Sequence, residues 1–252
     1  MRILFFLLFL SSNIIAQSIV NTELKSINNK KFFAEIEGTF DIQKGNTDIS
    51  QVGSSVLLGY NINHKNLIKV LFGHRQLSEQ NESIDKDSYG QIRHNYKFSK
   101  SIKSFAFLQY QKNLNLLLTE RFIAGGGVRY DTKIKNLDFG IGSGAMYENE
   151  VLFNENLLQG EENNIITIRM AGLSTLVFPL NETISLHNIT YFQPSLFNIF
   201  YDFRLLNELN ILIELSDRLL LEHKFIFRHD SDPPSALQED DFGFVTGIVI
   251  NL

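Results

Sequence analysis

The feature that most constrains this chain is the strict two-residue alternation of its last stretch, residues 219–252. Leu219, Leu221, Phe225 and Phe227 alternate with Glu222, Lys224, Arg228 and Asp230, with His223 interrupting the apolar series. A polar turn over residues 230–240 contains Pro233 and Pro234, after which Phe242, Phe244, Ile248, Ile250 and Leu252 share one face. A period of two belongs to β-strands, whose successive side chains point to opposite faces. One face is apolar while the other carries charges of both signs. The dry core of a soluble sandwich would have to desolvate those charges at high cost. A strand pair with lipid on one side and a wet lumen on the other satisfies both faces.

The same alternation recurs upstream. Candidate strands run over residues 33–43, 49–60, 66–76, 87–98, 102–113, 119–132, 137–148, 164–178, 182–193 and 199–212, and with the closing pair they number about twelve. In the third, Ile68, Val70 and Phe72 oppose Lys69, Gly73 and Arg75; in the seventh, Phe139, Ile141 and Tyr147 oppose Asp138, Gly140 and Gly144. In the tenth, Ile199, Tyr201, Phe203 and Leu205 oppose Asp202, Arg204 and Glu208, while the ninth alternates least clearly. The connections at 61–65, 99–101, 133–136, 179–181 and 213–218 are short and fall on one side. The three longest, 77–86, 149–163 and 231–239, fall on the other. Transmembrane barrels sort their loops in this way, and an even strand count brings the two ends together so that no edge stays open. The fold expected is an all-β, antiparallel transmembrane barrel with short periplasmic turns and longer extracellular loops.

The first sixteen residues read as a secretory signal peptide: Met1-Arg2, an apolar run from Ile3 to Leu10, and Ala16 at the cleavage position. The expected organisation is a signal peptide over 1–16, a periplasmic leader over 17–32 and the barrel over 33–252. No later stretch holds the ~18 consecutive apolar residues of a spanning helix. The absence of Cys removes disulfide and thiol chemistry. A net charge of −5, with bases and acids interspersed, argues against nucleic acid as a partner. The partners expected are outer-membrane lipids and lipopolysaccharide, and the barrel-assembly machinery during biogenesis.

Alternation assigns a set of charged residues to the lumen: Arg93, Lys97, Arg121, Arg129, Asp131, Glu148, Arg169, Asp202, Arg204, Glu208, Glu222, Lys224, Arg228 and Asp230. Mixed signs without a single-sign ring fit a ladder of ion pairs filling the lumen, with Arg204, Glu222, Lys224 and Arg228 as mutual partners across neighbouring strands. The alternative is a pore wall whose charge selects solutes. Ser185 and His187 share one face of the ninth strand, which keeps a barrel-embedded lipid or peptide hydrolase as a competing class if an acid orients the histidine. A soluble periplasmic β-domain is the third. The acidic connections, including Asp87, Glu148, Glu150 and Asp230, read as a solvated exterior, and no metal, cofactor or catalytic residue is expected. Gly125-Gly126-Gly127 sits within a strand and lacks the strand-to-helix setting and Lys-Ser/Thr ending of a phosphate loop.

Three motifs carry a resemblance. Leu118-Thr119-Glu120-Arg121-Phe122-Ile123-Ala124-Gly125-Gly126-Gly127-Val128-Arg129-Tyr130, the turn Gly45-Asn46-Thr47-Asp48, and Asp232-Pro233-Pro234 followed by Asp240-Asp241 and a terminal strand stand in one order. Together they resemble the DUF481 family of outer-membrane proteins, also called salt-induced outer membrane proteins, over residues 33–252. The resemblance implies a β-barrel in the bacterial outer membrane and no catalytic activity. Such barrels usually end in an aromatic residue; Leu252 stands there instead.

Overall fold

The computed structural model describes residues 30–43, 49–79, 82–113, 116–153, 157, 160–234 and 237–252. The expected signal peptide, most of the leader and the Gly45-Asn46-Thr47-Asp48 turn lie outside the described residues. Every strand is antiparallel to its neighbours. In order they are β1 (Phe32–Gln43), β2 (Ile49–Asn61), β3 (Asn66–Glu79), β4 (Glu82–Lys97), β5 (Ile102–Asn113), β6 (Leu118–Ile134) and β7 (Leu137–Leu152). There follow β8 (Asn164–Met170), β9 (Gly172–Pro179), β10 (Ile184–Pro194), β11 (Phe203–Ser216), β12 (Leu219–Asp230) and β13 (Asp240–Asn251). Against β7, Ala145 faces Met170 and Gly142 faces Leu173, an unbroken register. Between them the Ala171 N–H donates to the Gly144 carbonyl at 2.9 Å. β8 and β9 are therefore one barrel strand. The ring closes where β13 pairs with β1, Ile250 opposite Ile36, giving a closed 12-strand antiparallel barrel.

The faces are those of a transmembrane barrel. Phe40, Val52, Phe72, Val128, Ile166 and Phe242 stand exposed on the outside, while Arg93, Gln109, Gln111, Glu148, Glu150 and Arg169 are buried within. Water would not tolerate so continuous an apolar exterior, and lipid would.

On one rim the connections are 62–65, 98–101, 135–136, 180–183 and 217–218. Side chains replace backbone partners in these turns. Asn181 Oδ1 accepts from the N–H groups of Thr183 and Ile184 at 2.9 and 2.8 Å, and Ser99 Oγ accepts from Ile102 at 3.0 Å. Lys135 takes the left-handed conformation that its two-residue turn demands, with φ of 55°. The longer connections, 153–163, 195–202 and 231–239, lie on the opposite rim.

Two expected boundaries are corrected. The polar stretch 77–86 is not a long loop: β3 continues to Glu79 and β4 begins at Glu82, with Leu77 paired to Asp85. Conversely, Ile199 and Tyr201 do not begin a strand. The backbone turns there, with Tyr201 and Asp202 N–H groups donating to the Asn198 carbonyl at 3.1 and 2.9 Å, and β11 starts at Phe203. Phe197, Phe200 and Tyr201 are exposed on this rim. Aromatic side chains suit the boundary between lipid and water.

Glycine is required where β6 meets β7. Gly127 and Gly144 are Cα partners, and a Cβ on Gly144 would run into the Gly126 carbonyl oxygen and the Gly127 Cα, both backbone. Around Gly38, on the outer face, nothing lies within 4 Å of an added Cβ. Gly144→Val is expected to lower stability by about 1–3 kcal/mol or to block folding through overpacking. Gly38→Ala should stay within ~0.5 kcal/mol. Urea midpoints of the lipid-refolded variants check both.

Candidate functional site

The inner wall divides into three regions, and the first is ionic. β7 places Glu148 and Glu150 side by side on the inner face because they are two residues apart. Arg204 on β11 reaches across the lumen to both: its Nη1 lies 3.0 Å from Glu148 Oε1 and 2.8 Å from Glu150 Oε1, and its Nε lies 2.7 Å from Asp230 Oδ2. Arg169 Nε on β8 holds Glu148 Oε2 at 2.8 Å and Arg169 Nη1 holds Asp202 Oδ1 at 2.6 Å. Arg121 on β6 donates from Nε to Glu150 Oε1 at 2.6 Å and pairs with the same oxygen through Nη2. Glu148 is wholly buried, at 0% exposure, and three guanidinium groups offset its charge.

The second region is apolar. Phe105, Phe107, Ile123, Met146, Leu173, Ile189, Tyr191, Leu206 and Ile226 form one buried cluster inside the barrel, drawn from β5 through β12. Arg93 lays its guanidinium over Phe105 and Phe107, 4.6 and 5.6 Å from the ring centroids, a cation–π arrangement in a dry setting.

The third region is open space. A cavity of about 780 Å³ runs from Lys100 and Lys133 on the short-turn rim up to Gln51, Arg75 and Gln111. Small residues, Thr39, Gly53 and Ser55, line it along β1 and β2. One part of its wall holds Lys224 among carboxylates, with Nζ 3.1 Å from Glu37 and 3.5 Å from Glu222, and Glu208 close by. Half-way round the barrel Asp131 takes both Lys103, at 2.6 Å, and the Nε of Arg129.

The residues assigned to the lumen by alternation are thus distributed. Arg121, Glu148, Arg169, Asp202, Arg204 and Asp230 converge in the ionic region, Asp202 from just ahead of its strand. Arg129 and Asp131 stand on one cavity wall and Glu208, Glu222 and Lys224 on another. Arg93 caps the aromatic pair, and Lys97 lies partly buried opposite Lys103 near the short-turn rim. Of the expected partnership of Arg204, Glu222, Lys224 and Arg228, only Lys224 with Glu222 forms, at 3.5 Å; the two arginines pair elsewhere. Arg204 sits opposite Asp230 and Arg228 opposite Leu206, so the first reaches β7 while Arg228 lies 3.6 Å from Asp241.

Two acids assigned only to a solvated exterior, Asp87 and Glu150, belong to the inner wall, as do Glu148 and Asp230, which alternation also places in the lumen. The apolar cluster was missed altogether. Its signal was parity: Phe105 and Phe107 share a face with Gln109 and Gln111. Ser185 Oγ lies 3.1 Å from His187 Nε2, yet His187 Nδ1 is buried without a hydrogen-bond partner, so no acid orients the ring as a triad requires. Among the described residues no group of three or more His, Asp or Glu is arranged to hold a metal ion.

The family of unknown function DUF481 matches residues 36–251, nearly the whole of the barrel. The chain belongs to the DUF481 family. No curated protein matches it. Among solved structures it is similar to the NanC porin at 10% identity and a TM-score of 0.56, over 87% of this chain and 100% of that one. It is also similar to an outer-membrane channel from Pseudomonas putida F1 at 7% identity and a TM-score of 0.52, over 93% and 100%. At such identities the likeness is one of fold.

Arg204→Ala leaves Glu148 and Glu150 buried with one guanidinium fewer. A loss of about 3–5 kcal/mol is expected, as for breaking a buried pair from one side. Lys112→Ala removes an exposed pair with Glu120 at 3.9 Å and should cost below ~0.5 kcal/mol. Denaturant midpoints in the same detergent distinguish the two.

Proposed function

We propose that this DUF481 barrel is an outer-membrane channel for small solutes, exported by the segment 1–16 and inserted by the barrel-assembly machinery among lipid and lipopolysaccharide. The observation that carries this is the cavity of about 780 Å³, lined from all round the ring and reaching Gln51, Arg75 and Gln111 away from the short-turn rim. Side chains as small as Thr39, Gly53 and Ser55 keep its β1–β2 lane clear, while the apolar and ionic regions fill other parts of the lumen. A barrel meant only as an inert wall has no need of such an opening. The porin and channel whose folds it shares support the same direction. The passive alternative, an envelope barrel with a plugged lumen, draws on the buried Glu148–Arg204 cluster. No catalytic role is assigned to Ser185 and His187.

Refolded protein in a planar bilayer is expected to give small conductance steps. Ser55→Phe, which fills the lane, should at least halve them, and Ala106→Phe, on the outer face, should leave them unchanged. A silent wild-type barrel with a normal heat-dependent gel shift would overturn the channel and favour the plugged envelope protein.

Sidedness follows from the connections. An epitope inserted after Gly160 should be detected on intact cells, and one inserted after Lys100 only after permeabilisation.

A further inference from the structure

The two charged parts of the cavity wall are opposite in sign and opposite in position. On β1, β11 and β12 the charged residues that line the cavity are Glu35, Glu37, Glu208, Glu214 and Glu222 with Lys224, whose ammonium lies among Glu37, Glu222 and Glu208, so this wall is predominantly acidic. On the β5–β6 side the charged lining is Lys100, Lys103, Arg129 and Lys133 with Asp131 and Asp138, so this wall is predominantly basic; Lys103 and Arg129 both reach Asp131, and Arg129 also donates to Thr175 Oγ1 at 2.6 Å. All of these but Lys100 are fixed on strands of a closed barrel: with β8 and β9 as one strand, β12 stands six strands from β5 and β11 five in a ring of twelve, with Glu37 on β1 four strands from β5. The field across the cavity is therefore permanent in direction.

A second, independent observation lies on the acidic side. Asn210 on β11 lines the cavity, is only 5% exposed, and its Oδ1 accepts no hydrogen bond. It stands opposite Lys224 on β12 and His187 on β10, in the row that carries the carboxylates. A buried acceptor left without a donor costs about 1–3 kcal/mol, which a ligand N–H recovers. The acceptors on this side fit an ammonium group, and the Lys103–Arg129 side fits a carboxylate.

We propose that the cavity binds zwitterionic solutes bearing a separated ammonium and carboxylate, the ammonium against Asn210 and the Glu208 side, the carboxylate against Lys103 and Arg129. This deepens the channel reading, on which it rests, by naming the class of solute. A singly charged molecule satisfies one wall and leaves the other to water. A neutral molecule satisfies neither.

Equilibrium dialysis of the detergent-folded barrel tests the assignment with 4-aminobutyrate, 6-aminohexanoate and 8-aminooctanoate against hexanoate and hexylamine. At least one ω-amino acid should be retained ten-fold more strongly than either singly charged compound. Asn210→Leu should weaken that retention at least five-fold while the unboiled protein keeps its gel mobility. Equal retention of hexylamine would overturn the proposal in favour of a simple acidic patch, and no retention of any probe would overturn it outright. Dialysis does not depend on conduction. A barrel silent in the bilayer that still retains an ω-amino acid refutes the channel and leaves the binding site standing; a conducting barrel that retains none refutes the site alone.

Discussion

The constraint on which the whole structure depends is the pairing of β13 with β1. In hydrocarbon no water satisfies the N–H and C=O groups of an open sheet edge, so a sheet spans a membrane only as a closed ring. Here closure runs to the end of the described chain: Leu252 N–H donates to the Ala34 carbonyl at 2.9 Å, and Ala34 donates in return at 3.4 Å. Once the ring is closed, the outer face must be apolar and the polar residues of every strand go inward. The lumen of twelve strands is wider than one layer of side chains fills. How that space is occupied decides everything that distinguishes this barrel from another.

It is occupied unevenly, and the physical reasons differ by region. Glu148 and Glu150 carry two negative charges into a site almost without water, where an isolated carboxylate is strongly disfavoured. They are tolerated because planar guanidinium groups from three different strands, Arg121, Arg169 and Arg204, each supply several donors in fixed geometry. A lysine in place of Arg204 would reach only as a point charge. The arrangement ties β6, β7, β8, β11 and β12 together across the lumen, and the phenylalanines of β5 with Ile123 and Met146 fill the space below it. Arg93 links the two kinds of packing by placing its charge on aromatic faces instead of carboxylates.

Strands were legible where lipid imposes period two on the outer face, which is most of the barrel. β10 shows why legibility failed elsewhere. Its lumen side carries Ile189 and Tyr191, both buried in the apolar cluster, while Asn188 and Thr190 face outward. The outward groups are satisfied by the neighbouring strand: Asn188 Nδ2 donates to Asn207 Oδ1 at 3.2 Å, and Asn207 Nδ2 donates to Thr190 Oγ1 at 2.7 Å. Over residues 188–191 the alternation is inverted, although Leu186 and Phe192 keep the apolar-out parity, so a pattern that assumes apolar-out reads the strand as doubtful. Glu150 was assigned to a loop because the apolar series stops before it. Only the cross-lumen reach of Arg204 and Arg121 reveals that it belongs inside, and such contacts link residues far apart in sequence. Pairings across a lumen depend on barrel shear, which no local pattern encodes.

The empty lane is the complement of this filling. On the β1–β3 side the inward positions include Thr39, Gly53, Ser55 and Gly73; the bulk that does appear is gathered in a small buried cluster of Phe33, Leu57 and Leu71, and two rings there lie against glycine. The ring of Phe33 covers Gly59 and the ring of Tyr89 covers Gly73, each occupying the space a Cβ would need. Glycine in a strand forgoes stability, so its use under two aromatic rings keeps those rings close to the wall and out of the lumen. The opposite half uses its glycines differently, at Gly127 and Gly144, to bring two backbones together beside large inward side chains. The same residue type thus thins the wall lining on one side and compacts the strands on the other. A lumen partly packed and partly open, with an acidic and a basic wall across the open part, is the arrangement that separates this barrel from a featureless plugged cylinder.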